Sequence, residues 1–185
     1  MVTHPSILLI EDSPGECELF RLALAQTGLD VTLYTEHDAE AAFHFLQDRF
    51  SYDSKRSPQY SPGEAAGVVS TARVERAPSE RSRSVSTETM PAAPPYLILM
   101  DLQLRGQNGC DFLKRLRSDP RFAAIPVVVF TTSDDQTDLA RCYASGANGY
   151  VVKPGTFDEL VYCTSDICRY WLKWNRSLLM ADTRC

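Results

Sequence analysis

Four runs of apolar residues in this chain are each too short for a helix of about ten residues or more. Each ends abruptly in a residue that carries chemistry. Ser6 to Ile10 (SILLI) stops at Glu11-Asp12, and Tyr96 to Met100 (YLILM) stops at Asp101. Val127 to Phe130 stops at Thr131-Thr132, and Tyr150 to Val152 stops at Lys153-Pro154. A fifth segment, Asp30 to Thr35 (DVTLYT), alternates and is β-branched, as a strand requires. Strands that are apolar at nearly every position have both faces covered, which is the mark of a parallel sheet.

The intervening segments read as helices. Ser13 or Asp12 caps the first, with Pro14 in its opening turn and Gly28 at its end. Asp38 to Asp48, Asn108 to Ser118, Asp135 to Ala144 and Thr156 to Trp174 supply four more. Five strands alternating with five helices predict a doubly wound α/β sheet with strand order 2-1-3-4-5. In such a sheet reactive groups gather beyond the carboxyl ends of the strands, at the switch between strands one and three. The four strand ends named above therefore meet in one crevice.

Composition sharpens this picture. The 185 residues suit one domain of roughly 150 residues with something added. The addition is residues 51–95, which hold six of the eleven prolines and no Leu, Ile, Phe or Trp. Such a segment buries too little apolar surface to offset its ordering entropy, so a disordered insertion is predicted. Its serines include RSRSVS (Arg81 to Ser86), and a passive linker is preferred there to a modification site. The net charge of −5 is the wrong sign for non-specific phosphate-backbone binding, so no direct nucleic-acid partner is expected. No run approaches a membrane span of about 20 residues, and no basic, apolar leader opens the chain. A cytoplasmic protein with no membrane partner is expected. The six cysteines form no CxxC pair, which predicts reduced, mostly buried thiols rather than a zinc site. His4, His37 and His44 lack metal-ligand spacing and read as surface residues.

Three clustered carboxylates raise one another's proton affinity, and a hard divalent cation relieves them. Few protein ligands and several waters suit Mg²⁺. With a lysine and a hydroxyl beside it, such a site accepts a phosphoryl group on a carboxylate nucleophile.

These residues resemble the receiver domain of two-component response regulators. The matching stretches are ILLIEDSPGE (Ile7 to Glu16), YLILMDLQLRGQNG (Tyr96 to Gly109), IPVVVFTTSDD (Ile125 to Asp135) and ASGANGYVVKPGTFDEL (Ala144 to Leu160). The resemblance implies a flavodoxin-like receiver fold over residues 5–174, interrupted by 51–95, with a tail at 175–185. It implies that Asp101 is the phosphoacceptor, with Mg²⁺ held by Glu11, Asp12, Asp101 and the backbone carbonyl of Gln103, and Asp12 as the direct ligand of the acidic pair. Thr131 and Tyr150 match the switch residues. Lys153 matches the phosphate-binding lysine, and Pro154 follows it in an expected cis peptide. Arg105 departs from the family pattern, which often has Pro there. The implied partner is a sensor histidine kinase, and the output is protein recognition rather than turnover, with no DNA-binding domain.

The ending CRYWLKWNRS (Cys168 to Ser177) resembles regulators paired with phytochrome-type kinases. That subtype implies a homodimer built on the last helix. For Tyr170, Trp171 and Trp174, packing on their own sheet and forming a dimer patch remain alternatives. Two other functions compete. A pseudo-receiver would bind partners without accepting phosphate. An aspartyl-phosphate phosphatase would need an acid where Gln103 stands.

Overall fold

The structure, a computed structural model, describes residues 5–53, 94–104 and 106–176. Its elements in chain order are β1 (Ser6–Ile10), α1 (Pro14–Gln26), β2 (Thr32–Glu36), α2 (Ala39–Asp53) and β3 (Leu97–Met100). They continue as α3 (Gly109–Ser118), β4 (Val127–Thr131), α4 (Gln136–Ala144), β5 (Gly149–Val152) and α5 (Phe157–Arg169). The five strands form one parallel sheet in the order β2-β1-β3-β4-β5, as the strand pattern predicted.

Period-two alternation divides each central strand between two cores. Ile7, Leu9, Leu97, Leu99, Val128 and Phe130 pack with Phe20, Leu24 and Ile167 from α1 and α5. Leu8, Ile10, Ile98, Met100, Val127 and Val129 pack with Leu46, Leu113 and Cys142 on the opposite face. This two-sided burial is why these strands are apolar throughout. The edge strand β5 is only half-buried, and Val152 is exposed.

The starts of α1, α3, α4 and α5 are each capped by a short polar side chain. Ser13, not Asp12, caps α1, its Oγ accepting from the Glu16 N–H at 3.4 Å. Asn108, Asp135 and Thr156 cap α3, α4 and α5. Gly28 follows α1 at φ 65°, a conformation that suits glycine.

Three expectations need correction, and one element was not foreseen. α2 runs to Asp53, so the helix continues three residues into the segment assigned to the insertion, while Pro94 and Pro95 already lead into β3. Residues 54–93, the bulk of that insertion, lie outside the described residues, as do Arg105 and the tail beyond residue 176. The last helix is not uniform: α5 ends at Arg169 and Tyr170–Trp174 form a π-turn. A two-strand hairpin (Gln103–Leu104 with Gln107–Asn108) turns at Gly106, φ 77°, between β3 and α3; its strands are too short to read from periodicity. Finally, no cis peptide occurs among the described residues, so Lys153–Pro154 is trans. Trans is the lower-energy form of an X-Pro bond, and Lys153 reaches its partners from it.

The π-turn separates the aromatic alternatives. Trp171 packs on the α1–α5 core and beside Gly149, so it belongs to its own sheet. Tyr170 and Trp174 are exposed, as is Tyr162 one helical face earlier. The described cysteines are all free thiols, four of them buried.

Candidate functional site

The sheet extends its hydrogen-bond ladder one residue past three strands, and this aligns the reactive groups. The Asp101 N–H donates to Ile10 O at 3.0 Å, Glu11 N–H to Glu36 O at 2.9 Å, and Lys153 N–H to Thr131 O at 2.7 Å. Glu11, Asp101, Thr131 and Lys153 therefore stand at four adjacent strand ends on the carboxyl edge of the sheet.

Lys153 is the centre of the arrangement. Its Nζ donates to Glu11 Oε2 at 2.6 Å and to Asp101 Oδ2 at 3.0 Å, and it also donates to Glu16 Oε2. The side chains of Lys153, Glu11 and Asp101 are only 10%, 3% and 10% exposed. The ammonium also lies 5.9 Å from the Phe130 ring centroid. A cavity of about 210 Å³ opens beside it, lined by Glu11, Glu16, Leu19, Phe130, Thr132 and Pro154 among others.

Burial pushes the Glu11 carboxyl above its ordinary range, and the Lys153 ammonium and the Ser13 N–H only partly offset this. Burial alone would depress Lys153, but the Glu11 and Glu16 hydrogen bonds and the Asp101 charge hold it above its ordinary value. Behind the site, the Glu11 carbonyl accepts from Cys17 Sγ at 3.5 Å and lies 3.0 Å from His37 Nδ1. Burial and the Glu11 charge push the Cys17 thiol up to about 11, so it is a packed neutral group.

Asp101 Oδ1 accepts from the Gln103 N–H at 3.3 Å, which ties this carboxylate to its own loop. Gly109 makes room for that loop. A Cβ there would lie 2.8 Å from Asp101 O and 3.1 Å from Leu102 Cα.

Thr131 is fully buried, whereas Thr132 beside it is exposed. Thr131 Oγ1 accepts from the Ser133 N–H at 3.4 Å, and the half-buried Tyr150 donates its OH to Ser133 O at 2.9 Å. Ser133 Oγ in turn donates to Asp138 Oδ2 on α4 at 2.8 Å. Thr131, Tyr150 and α4 thus meet on one loop residue.

Glu11, Glu16 and Asp101 each offer an oxygen, all within 4.8 Å of one another. Asp12, half-buried next to Glu11, is not in that group. Glu16 was missed by sequence reasoning because it sits in a helix rather than at a strand end. Ser13-Pro14-Gly15-Glu16 reads as a capping box, which accounts for a Glu at that spacing. Instead, the Ser13 N–H is taken by Glu11 Oε1 at 3.1 Å, and Glu16 turns to Lys153.

The profile of the response regulator receiver domain matches residues 73–164, which include Asp101, Thr131, Tyr150 and Lys153. The chain belongs to the response regulator receiver family. This receiver is 42% identical over 83 residues to the probable methanogenesis regulatory protein FilR2 of Methanothrix harundinacea, a match covering 45% of this chain and 54% of that protein. It thus spans about half the length of that relative. It is 28% identical to response regulator Rcp1 of Synechocystis over 167 residues, covering 90% of this chain and 88% of Rcp1. Among solved structures, the Mn²⁺-bound form of Rcp1 superposes with TM-score 0.64 at 25% identity, covering 94% of this chain and 98% of that one. The phosphorylated cyanobacterial phytochrome response regulator RcpA gives TM-score 0.68 at 24% identity, covering 95% and 99%. The latter likeness is one of fold.

Proposed function

We infer that Asp101 is a phosphoacceptor that takes a phosphoryl group from the phosphohistidine of a sensor histidine kinase. The observation that carries this reading is the Lys153 ammonium 3.0 Å from Asp101, with the buried Thr131 ending the adjacent strand. An Asp101 oxygen attacks phosphorus in line, the P–N bond breaks, and its electron pair returns to the imidazole nitrogen. Lys153 donates to the phosphoryl oxygens, and Thr131 turns its hydroxyl toward another.

The donor set is all oxygen, clustered and partly buried, which fits a hard cation of the Mg²⁺ class. Glu11 and Asp101 of that cluster, joined by the neighbouring Asp12 and the Gln103 carbonyl, would hold it, and when bound it would supply neutralisation of the phosphoryl charge.

When Thr131 turns, its contact with the Ser133 N–H is released. Ser133 also holds Tyr150 and Asp138, so the change reaches β5 and α4. The face made by α4, β5 and α5 then shifts its population toward a partner-binding form. The product is a recognition state, not released substrate. Gln103 supports this over a phosphatase, because it offers no leaving-group acid.

The cognate kinase is of the phytochrome type in this reading, supported by the likeness to Rcp1 and RcpA. The exposed Tyr162, Tyr170 and Trp174 support a homodimer through the last helix, since aromatics are enriched at interfaces. Nucleic acid has no direct role, and the cytoplasm is the compartment that suits the free thiols.

The test is labelling by acetyl phosphate with Mg²⁺, or by a phosphorylated sensor kinase. Label is expected on the native chain and absent from Asp101→Asn. Unchanged labelling of that variant overturns the assignment, and absence of labelling in the native chain turns the reading to a pseudo-receiver.

A further inference from the structure

The Lys153 ammonium has three N–H donors, and three carboxylates take them: Glu11, Asp101 and Glu16. A phosphoryl group on Asp101 needs a donor from this set, so one existing partner must release Lys153. Asp101 keeps its share of the ammonium until its own oxygen bonds to phosphorus, so before transfer the release falls to Glu11 or Glu16. The Glu11 side chain is 3% exposed and would be left buried and unpaired. The Glu16 side chain is 40% exposed, so water replaces the ammonium readily. Glu16 also stands on α1, held by the Ser13 cap, rather than on the sheet edge.

We propose that Glu16 is a positioning residue that parks the Lys153 ammonium on α1 and surrenders it to the phosphoryl group. It opposes phosphorylation in two ways. It competes for the lysine, and it adds a negative charge within 4.8 Å of Asp101. After transfer, it draws Lys153 back and shortens the life of the phosphorylated form. The inference rests on the phosphoacceptor reading above.

The test compares Glu16→Gln and Glu16→Asp with the native chain. The ¹⁵Nζ resonance of Lys153 is read first, without phosphate. Glu16→Gln should shift it and speed its proton exchange. At saturating Mg²⁺, acetyl phosphate should label Glu16→Gln faster by up to about fivefold, the range of a partly exposed ion pair, and the label should persist correspondingly longer. Glu16→Asp keeps the charge with a shorter reach and should fall between. An unmoved Lys153 resonance, or a Glu16→Gln rate at or below the native rate at saturating Mg²⁺, overturns the proposal. Equal labelling of Asp101→Asn would instead overturn the phosphoacceptor reading, and the resonance then decides the Glu16–Lys153 contact on its own.

Discussion

Lys153→Met should destabilise the metal-free protein far more than Asp101→Asn does. Lys153 lies 2.6 Å from Glu11 and 3.0 Å from Asp101. At an effective dielectric of about 20 each of these attractions is worth about 5–6 kcal/mol before desolvation. The three carboxylate oxygens lie within 4.8 Å of one another, so each repulsion is about 3.5 kcal/mol or more on the same scale. Methionine removes every attraction and leaves every repulsion. Net of desolvation and carboxyl protonation, breaking such a buried pair costs about 3–5 kcal/mol. Asparagine at 101 removes one attraction of about 5.5 kcal/mol together with two repulsions that sum to about 7 kcal/mol or more, so the lost attraction is offset and no comparable destabilisation follows. Urea unfolding in EDTA, followed by tryptophan fluorescence, measures both. Mg²⁺ should then restore Lys153→Met, by about 2.7 kcal/mol at a hundred times its dissociation constant. A Lys153→Met midpoint in EDTA equal to the native one would refute the idea that the ammonium holds the carboxylates together.

Gly109→Ala should lower stability by about 1–3 kcal/mol, because its Cβ meets the Asp101 carbonyl at 2.8 Å and backbone must move; urea unfolding checks this, and Gly155→Ala, with open space around it, is the control. The pH dependence has a defined sign. Lys153 is raised on folding, so its stabilisation is complete below its ordinary value of 10.5 and is lost as pH rises through the raised value. Glu11 is also raised, so its contribution is complete below its ordinary value of 4.5 and is lost above. Thermal unfolding across alkaline pH should show a decline that Lys153→Met lacks.

Most of the fold was legible because the two-sided burial of a parallel sheet writes itself into uninterrupted apolar runs. Leu8 and Leu9 must both be apolar when one faces α1 and the other the opposite core. The site was legible where it follows from topology: Asp101, Thr131 and Lys153 end strands, and strand ends in one sheet converge. Glu16 was not, because its position depends on which of two local partners its carboxylate takes, and the capping-box pattern fits either. The α2 terminus was misplaced for a related reason. Ser51 to Asp53 lack the apolar signal that marks a helix, yet they continue one already nucleated, and extension requires far less than initiation. The hairpin after Asp101 escaped because each of its strands has two residues.

The charge in the crevice explains why phosphoryl transfer and a cation belong together here. Taken as ionised, Glu11, Glu16 and Asp101 carry three negative charges against one on Lys153, and Asp12 adds another beside them. A phosphoryl group arriving from a donor brings further negative charge into a space where Glu11 already resists ionisation. Lys153 alone cannot neutralise both the resident carboxylates and the incoming oxygens, because its three N–H donors are engaged. The geometry therefore favours cation binding before transfer, and Glu16 raises that requirement further. Labelling by acetyl phosphate should accordingly depend more steeply on Mg²⁺ in the native chain than in Glu16→Gln. Equal Mg²⁺ dependence in the two would mean that the fourth carboxylate is electrically silent, and the charge argument would fail at that residue.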